Sequence, residues 1–223
     1  MKNFKQLFTI IFAVAVVVFG ILVTIDEREL FSAMSELSFE GWPAAKITIA
    51  WILLIGVDVS LIALPALGFV LVLLGKYDPF KCIVNCAIVM LCKFLVSIIA
   101  VLLILSAVFG DALDWNALFF GKDSLLIIPT LVFGAAILLV MFAKFSNFEG
   151  TVARAVLATI GSGLAIFGLV YYFGIGGGTD GIISGGSDAS WLGIMGLIIG
   201  IACFGGIVVY SFLPQTREFD KAE

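Results

Sequence analysis

The stretch 47–74 constrains this chain more than any other: it is apolar almost throughout, yet holds Asp58 near its centre and Pro65 beyond it. About 20 apolar residues in a helix match the ~30 Å hydrocarbon core of a bilayer. In lipid a helix satisfies its own backbone polar groups, whereas an open strand leaves them bare. Five more runs of this kind occupy 7–25, 82–109, 125–143, 152–175 and 191–213. Composition agrees, with 62% hydrophobic and 13% charged residues against roughly 45–50% and about 25% in a soluble domain. Mean hydropathy is +1.23. The expected fold is all-α: a polytopic membrane protein whose residues 1–223 form one domain of six transmembrane helices in a compact bundle.

The first run follows Lys2 and Lys5, as a signal peptide would. It is too long for a typical signal h-region, however, and Asp26-Glu27-Arg28-Glu29 is no small-residue cleavage site, so a retained helix is expected. Cationic residues keep to the cytoplasmic side of short connections. With both termini there, that side holds Lys2, Lys5, Lys76, Lys81, Lys144, Arg154, Arg217 and Lys221, and the opposite side only Arg28, Lys46 and Lys122. Both termini are therefore expected in the cytoplasm, in a plasma (inner) membrane of the bacterial type. The outer loops are expected to carry short interfacial helices. In 26–37, Leu30, Phe31, Met34 and Leu37 recur at helical spacing opposite acids, with Trp42 as an anchor at the end; 111–124 carries Trp115, Phe119 and Phe120 in the same way.

Within the spans the strongly polar residues are Asp58, Asn85 and Lys93. A charge at the bilayer centre costs at least ~2.5–3.5 kcal/mol on insertion scales, so its side chain should face protein or water. Cys82, Cys86, Lys93, Ser97 and Ala100 share one helix face, a small and mildly polar stripe suited to the bundle interior. The short link 75–81 makes 47–74 and 82–109 an antiparallel hairpin. If Leu74 is level with Cys82, Asp58 is level with Ile98, about 7.5 Å along the axis from Lys93. A bend at Pro65 or a bridging water would close that gap, and both a direct and a bridged pair remain open. Such a pair has three readings: a lock on helix register, a proton or cation site, or a contact with another subunit.

Other features carry less. Cys82 and Cys86 lie one turn apart, but without further ligands they read as small apolar thiols and not as a soft-metal site. Gly161 and Ala165, Gly196 and Gly200, and Ala202 and Gly206 form small-residue faces suited to close helix packing. Gly177-Gly178-Thr179-Asp180 recurs as Gly185-Gly186-Ser187-Asp188, which makes Asp180 and Asp188 a weak Ca²⁺ candidate on an outer hairpin. The glycines of 161–168 have the wrong spacing and setting for a nucleotide loop.

Histidine is absent. That removes bis-histidine haem, histidine-ligated zinc or copper, and the commonest general base. The four cysteines all fall in apolar runs, so no aqueous disulfide framework is expected. Neither a cofactor nor a nucleic-acid partner is implied, and no nucleophile–base arrangement points to an enzyme. The first functional reading is a non-catalytic integral subunit that builds or anchors a larger membrane assembly, with the bilayer and other subunits or further copies as partners. The alternative is a small proton- or cation-coupled transporter or channel that uses Asp58 and Lys93.

Overall fold

The computed structural model describes residues 2–36, 39–116, 127–145, 151–170 and 190–212. Every regular element among them is helical: α1 (Lys2–Asp26), α2 (Arg28–Glu36), α3 (Trp42–Leu73), α4 (Pro79–Phe109) with a 3₁₀ turn after it (Gly110–Ala112), α5 (Ile127–Phe145), α6 (Thr151–Val170) and α7 (Ser190–Phe212). Three segments are long and apolar enough to cross a membrane, namely Gln6–Glu36, Trp42–Leu73 and Pro79–Ala112. Three shorter apolar stretches, Thr130–Phe142, Ala155–Val170 and Ile194–Val209, lie in α5, α6 and α7.

The α3–α4 hairpin is set by its turn. Gly75 takes φ 69°, a left-handed conformation that glycine adopts without a Cβ clash. Its N–H donates to the Val72 carbonyl (3.1 Å) and that of Lys76 to Leu71 (2.9 Å), closing the end of α3. The chain then restarts at once, because Asp78 accepts the Phe80 N–H at 3.0 Å and Pro79 opens the helix. Helix α4 thus begins three residues earlier than the apolar run suggests, and the register shifts with it. A Cβ on Gly68 would lie 2.8 Å from Cys82 Sγ, so Gly68 is level with Cys82, where the sequence pointed to Leu74. Counting outward from that pair brings Asp58 level with Cys92, next to Lys93. Lys46 confirms the register near the start of α3, donating to Ser106 Oγ (2.6 Å) and to the Ser106 carbonyl (3.3 Å).

Pro65 is buried inside α3, and the helix runs through it. Lacking an N–H, it leaves the Leu61 carbonyl without its usual i+4 donor.

Helix α4 is the axis of the bundle and packs against α1, α3, α5 and α7. Helix α1 runs parallel to α4, whereas α3 and α7 run antiparallel to it. Gly206 faces Phe8 and Ile83, Gly196 faces Phe19, and Gly161 faces Leu139 and Val140. The start of α1 and the end of α7 consequently lie side by side.

Two apolar clusters divide the hairpin between them. The larger joins Val16, Phe19, Leu61, Met90 and Phe94 to the buried faces of α5, α6 and α7. The smaller lies further along the hairpin and contains Met34, Leu54 and Ala100, with Phe31 and Trp51 against them.

The stretch 26–37 is helical over Arg28–Glu36, and its apolar face is divided, with Leu30 exposed and Met34 turned inward. Met34 is buried against α3 and α4, and Phe31 meets Trp51 edge-on with ring centroids 5.8 Å apart. Trp42 is exposed at the start of α3. Of 111–124, only the residues up to 116 are described; Phe119 and Phe120 lie outside them.

Candidate functional site

Between the two apolar clusters lies a layer of charge. Lys93, midway along α4, extends its ammonium to Asp58 on α3 and to Glu27 at the junction of α1 and α2. Nζ is 2.5 Å from Asp58 Oδ1 and 2.7 Å from both Glu27 oxygens. An ammonium has three N–H donors, and this arrangement uses all of them. The side chains of Lys93 and Asp58 are 4% and 5% exposed and that of Glu27 13%, so water screens the pairs little. Asp58 and Lys93 are the only buried charged residues among the described residues.

Apolar side chains close this layer on both sides. Leu61 and Met90 lie one turn from Asp58 and Lys93 toward the chain termini, and Leu54 lies one turn away on the other side; all three are buried. Gly20 lets α1 approach α3 just below the site, where an added Cβ would stand 3.1 Å from both Leu61 and Ile62. One polar atom of the cluster is unmatched: Asp58 Oδ2 is buried with no hydrogen-bond partner. Trp51 Nε1, two turns away along α3, is likewise buried and unpartnered.

The pair that the sequence left open, Asp58 with Lys93, is direct, and the hairpin register closes the expected gap. Glu27 is the residue that sequence reasoning misses, because it stands in the acidic run 26–29, which hydropathy places in a loop. Helix length held the signal. Thr9 hydrogen-bonds the Pro79 carbonyl (3.5 Å), so α1 and α4 are aligned at that end. From there α1 reaches Glu27 after ~27 Å and α4 reaches Lys93 after ~21 Å, before the length of a lysine side chain. The apolar run 7–25 is the shortest of the first three, so the first acid beyond it falls beside the middle of the longer α4.

The remaining candidates are dispersed. Asn85 donates to the Tyr77 hydroxyl at 2.8 Å, beneath the hairpin turn. Burial pushes the Tyr77 phenol above its usual value, which keeps this contact uncharged. Cys82 and Cys86 are free and buried, and no group of three metal-ligating side chains occurs among the described residues. Gly161, Ala165, Gly196, Gly200 and Gly206 pack within the chain, against α5, α1, α6 and α4; Ala202 is half-buried. Asp180 and Asp188 lie outside the described residues.

No family model, curated protein or solved structure matches the chain.

Proposed function

We propose that this is a six-helix membrane protein with both termini in the cytoplasm, and that it works as a small proton- or cation-coupled carrier or channel whose exchange site is Glu27, Lys93 and Asp58. The supporting observation is the unequal stoichiometry of charge: two carboxylates share one ammonium in a nearly dry interior. A lock on helix register needs one acid for one base. A second acid leaves an uncompensated negative charge, which low-polarity surroundings disfavour by several kcal/mol. Binding a positively charged species removes that penalty, and releasing it restores it. Such a site suits an exchanger.

The helix lengths also support a site inside the membrane. At 31 residues α4 is ~46 Å long, well beyond a ~30 Å hydrocarbon core, and Lys93 stands near its middle. The six apolar runs, the helix directions and the cationic bias of the connections support the topology.

The test is flux. The protein would be reconstituted into vesicles and challenged with a pH gradient and, separately, with sodium and potassium gradients. Flux should occur under one of them and disappear in Asp58→Asn and Glu27→Gln variants that still melt cooperatively. Absence of flux under every gradient would remove this reading.

A second reading, a subunit of a larger membrane assembly, draws on glycines that the bundle does not use. A Cβ at Gly56, Gly134, Gly163 or Gly205 would meet nothing within 4 Å. Such outward-facing gaps let a partner helix approach closely. Native mass spectrometry from mild detergent would show the partner directly.

A further inference from the structure

The charge layer is specific about its ligand, a specificity that rests on the proposed function's reading of the layer as an exchange site. Three of the four carboxylate oxygens of Glu27 and Asp58 converge on one point, at 2.7, 2.7 and 2.5 Å, and Lys93 Nζ occupies it. That point is where a sodium or potassium ion would have to bind. To admit one, the ammonium would have to withdraw among the buried residues of its own helix, Val89, Met90, Phe94 and Ser97, none of which is an acid. The helices packed around α4 offer no substitute: α7 presents Gly196 and α5 presents Phe133 to Phe94. On α1 and α2 the neighbouring Asp26, Arg28 and Glu29 are not buried, and Lys46 on α3 is engaged with Ser106. A metal ion would therefore exchange one unpaired charge for another.

A proton requires no displacement. The fourth oxygen, Asp58 Oδ2, is buried and accepts no hydrogen bond. A bare anionic oxygen in that setting is far less favourable than a neutral hydroxyl. Adding one proton to the carboxylate pair forms one O–H bond and leaves one ion pair with Lys93, so the layer becomes neutral. On release that O–H bond breaks and the proton passes to water. Glu27 is the most exposed member of the three, so exchange with water takes place at the α1–α2 junction.

We infer that Glu27, Lys93 and Asp58 form a one-proton site in which Lys93 is the resident cation and metal ions have no place. Because the carboxylates share a single ammonium, the proton belongs to the pair as a whole. Neutralising either acid alone should therefore abolish uptake, since the survivor is then matched one to one with Lys93.

Infrared difference spectroscopy on the whole protein in nanodiscs, titrated over a wide pH range, detects this as the carbonyl stretch of a protonated carboxyl. One such group per chain should appear as the pH falls. It should be lost in Asp58→Asn and, separately, in Glu27→Gln. The Glu27→Gln variant keeps the Asp58–Lys93 pair, so its thermal melt confirms that the loss is not unfolding. Replacing choline with sodium or potassium at constant ionic strength should leave the midpoint unmoved. A midpoint that falls by about one pH unit per tenfold rise in either ion would overturn the inference in favour of metal competition and leave the exchange function standing. A folded wild type with no titrating carboxyl, or a band that survives in both variants, would also overturn it. Failure of the function is a separate result, namely no flux in vesicles.

Discussion

The first four helices and the last three are held together by different means. Across α1, α3 and α4 the close approaches at Gly20 and Gly68 are joined by polar contacts: Lys93 with two acids, Lys46 with Ser106, Asn85 with Tyr77 and Thr9 with the Pro79 carbonyl. The packing of α6 and α7 relies on missing side chains. A Cβ on Gly161 would stand 3.0 Å from Leu139 and Val140 atoms, one on Gly168 2.8 Å from the Phe133 ring, and one on Gly200 2.6 Å from Leu169. Polar contacts of this kind specify which residues must meet along a helix, whereas small-residue packing specifies only how near the axes must come. The first region should therefore respond to charge and the second to volume.

The largest effect should come from Lys93→Met, which strands two acids and should destabilise the protein by ~3–5 kcal/mol in denaturant titrations in detergent. Adding Asp58→Asn to that variant should recover only part of the loss, because Glu27 then has no ammonium beside it. Adding Glu27→Gln as well should recover most of the loss. Full recovery with Asp58→Asn alone would show that Glu27 does not belong to the cluster.

Gly161→Val comes next. The new side chain would press on the backbone N of Val140 as well as on side chains, at a cost of ~1–3 kcal/mol. It should leave the infrared carboxyl band of the charge layer untouched; a shifted band would show that the two regions are coupled. Lys46→Met should cost ~0.5–1.5 kcal/mol for its lost hydrogen bonds to Ser106 and raise hydrogen exchange at the start of α3 and the end of α4. The smallest effect should be that of Gly163→Ala, two residues from Gly161 but facing open space. Its melting temperature should hold or rise slightly, by what corresponds to ≲1 kcal/mol of helix propensity. A clear loss there would place a partner on that face.

Much of this contrast was legible in the sequence. The small-residue faces were, because glycine and alanine four apart in an apolar run have few uses besides close packing. The Asp58–Lys93 pair was visible as two charges on opposite arms of a hairpin, but its directness was not. Register depended on where α4 begins, and the Asp78 cap with Pro79 moves that start outside the apolar run. Glu27 escaped for a different reason. Hydropathy assigns a charged run to a loop, whereas its depth depends on how far the neighbouring helices extend past it. The backbone reflects this continuity: Glu27 N–H donates to the Val23 carbonyl and Phe31 N–H to the Glu27 carbonyl, so α2 carries on from α1 with only a break between them.

The position of Lys93 in the chain also bears on biogenesis. Along the chain Glu27 comes first, Asp58 next and the lysine last, so both acids are made before their counter-ion exists. Until α4 is made, α1 and α3 share the close approach at Gly20 but no ion pair. Its arrival recruits both at once.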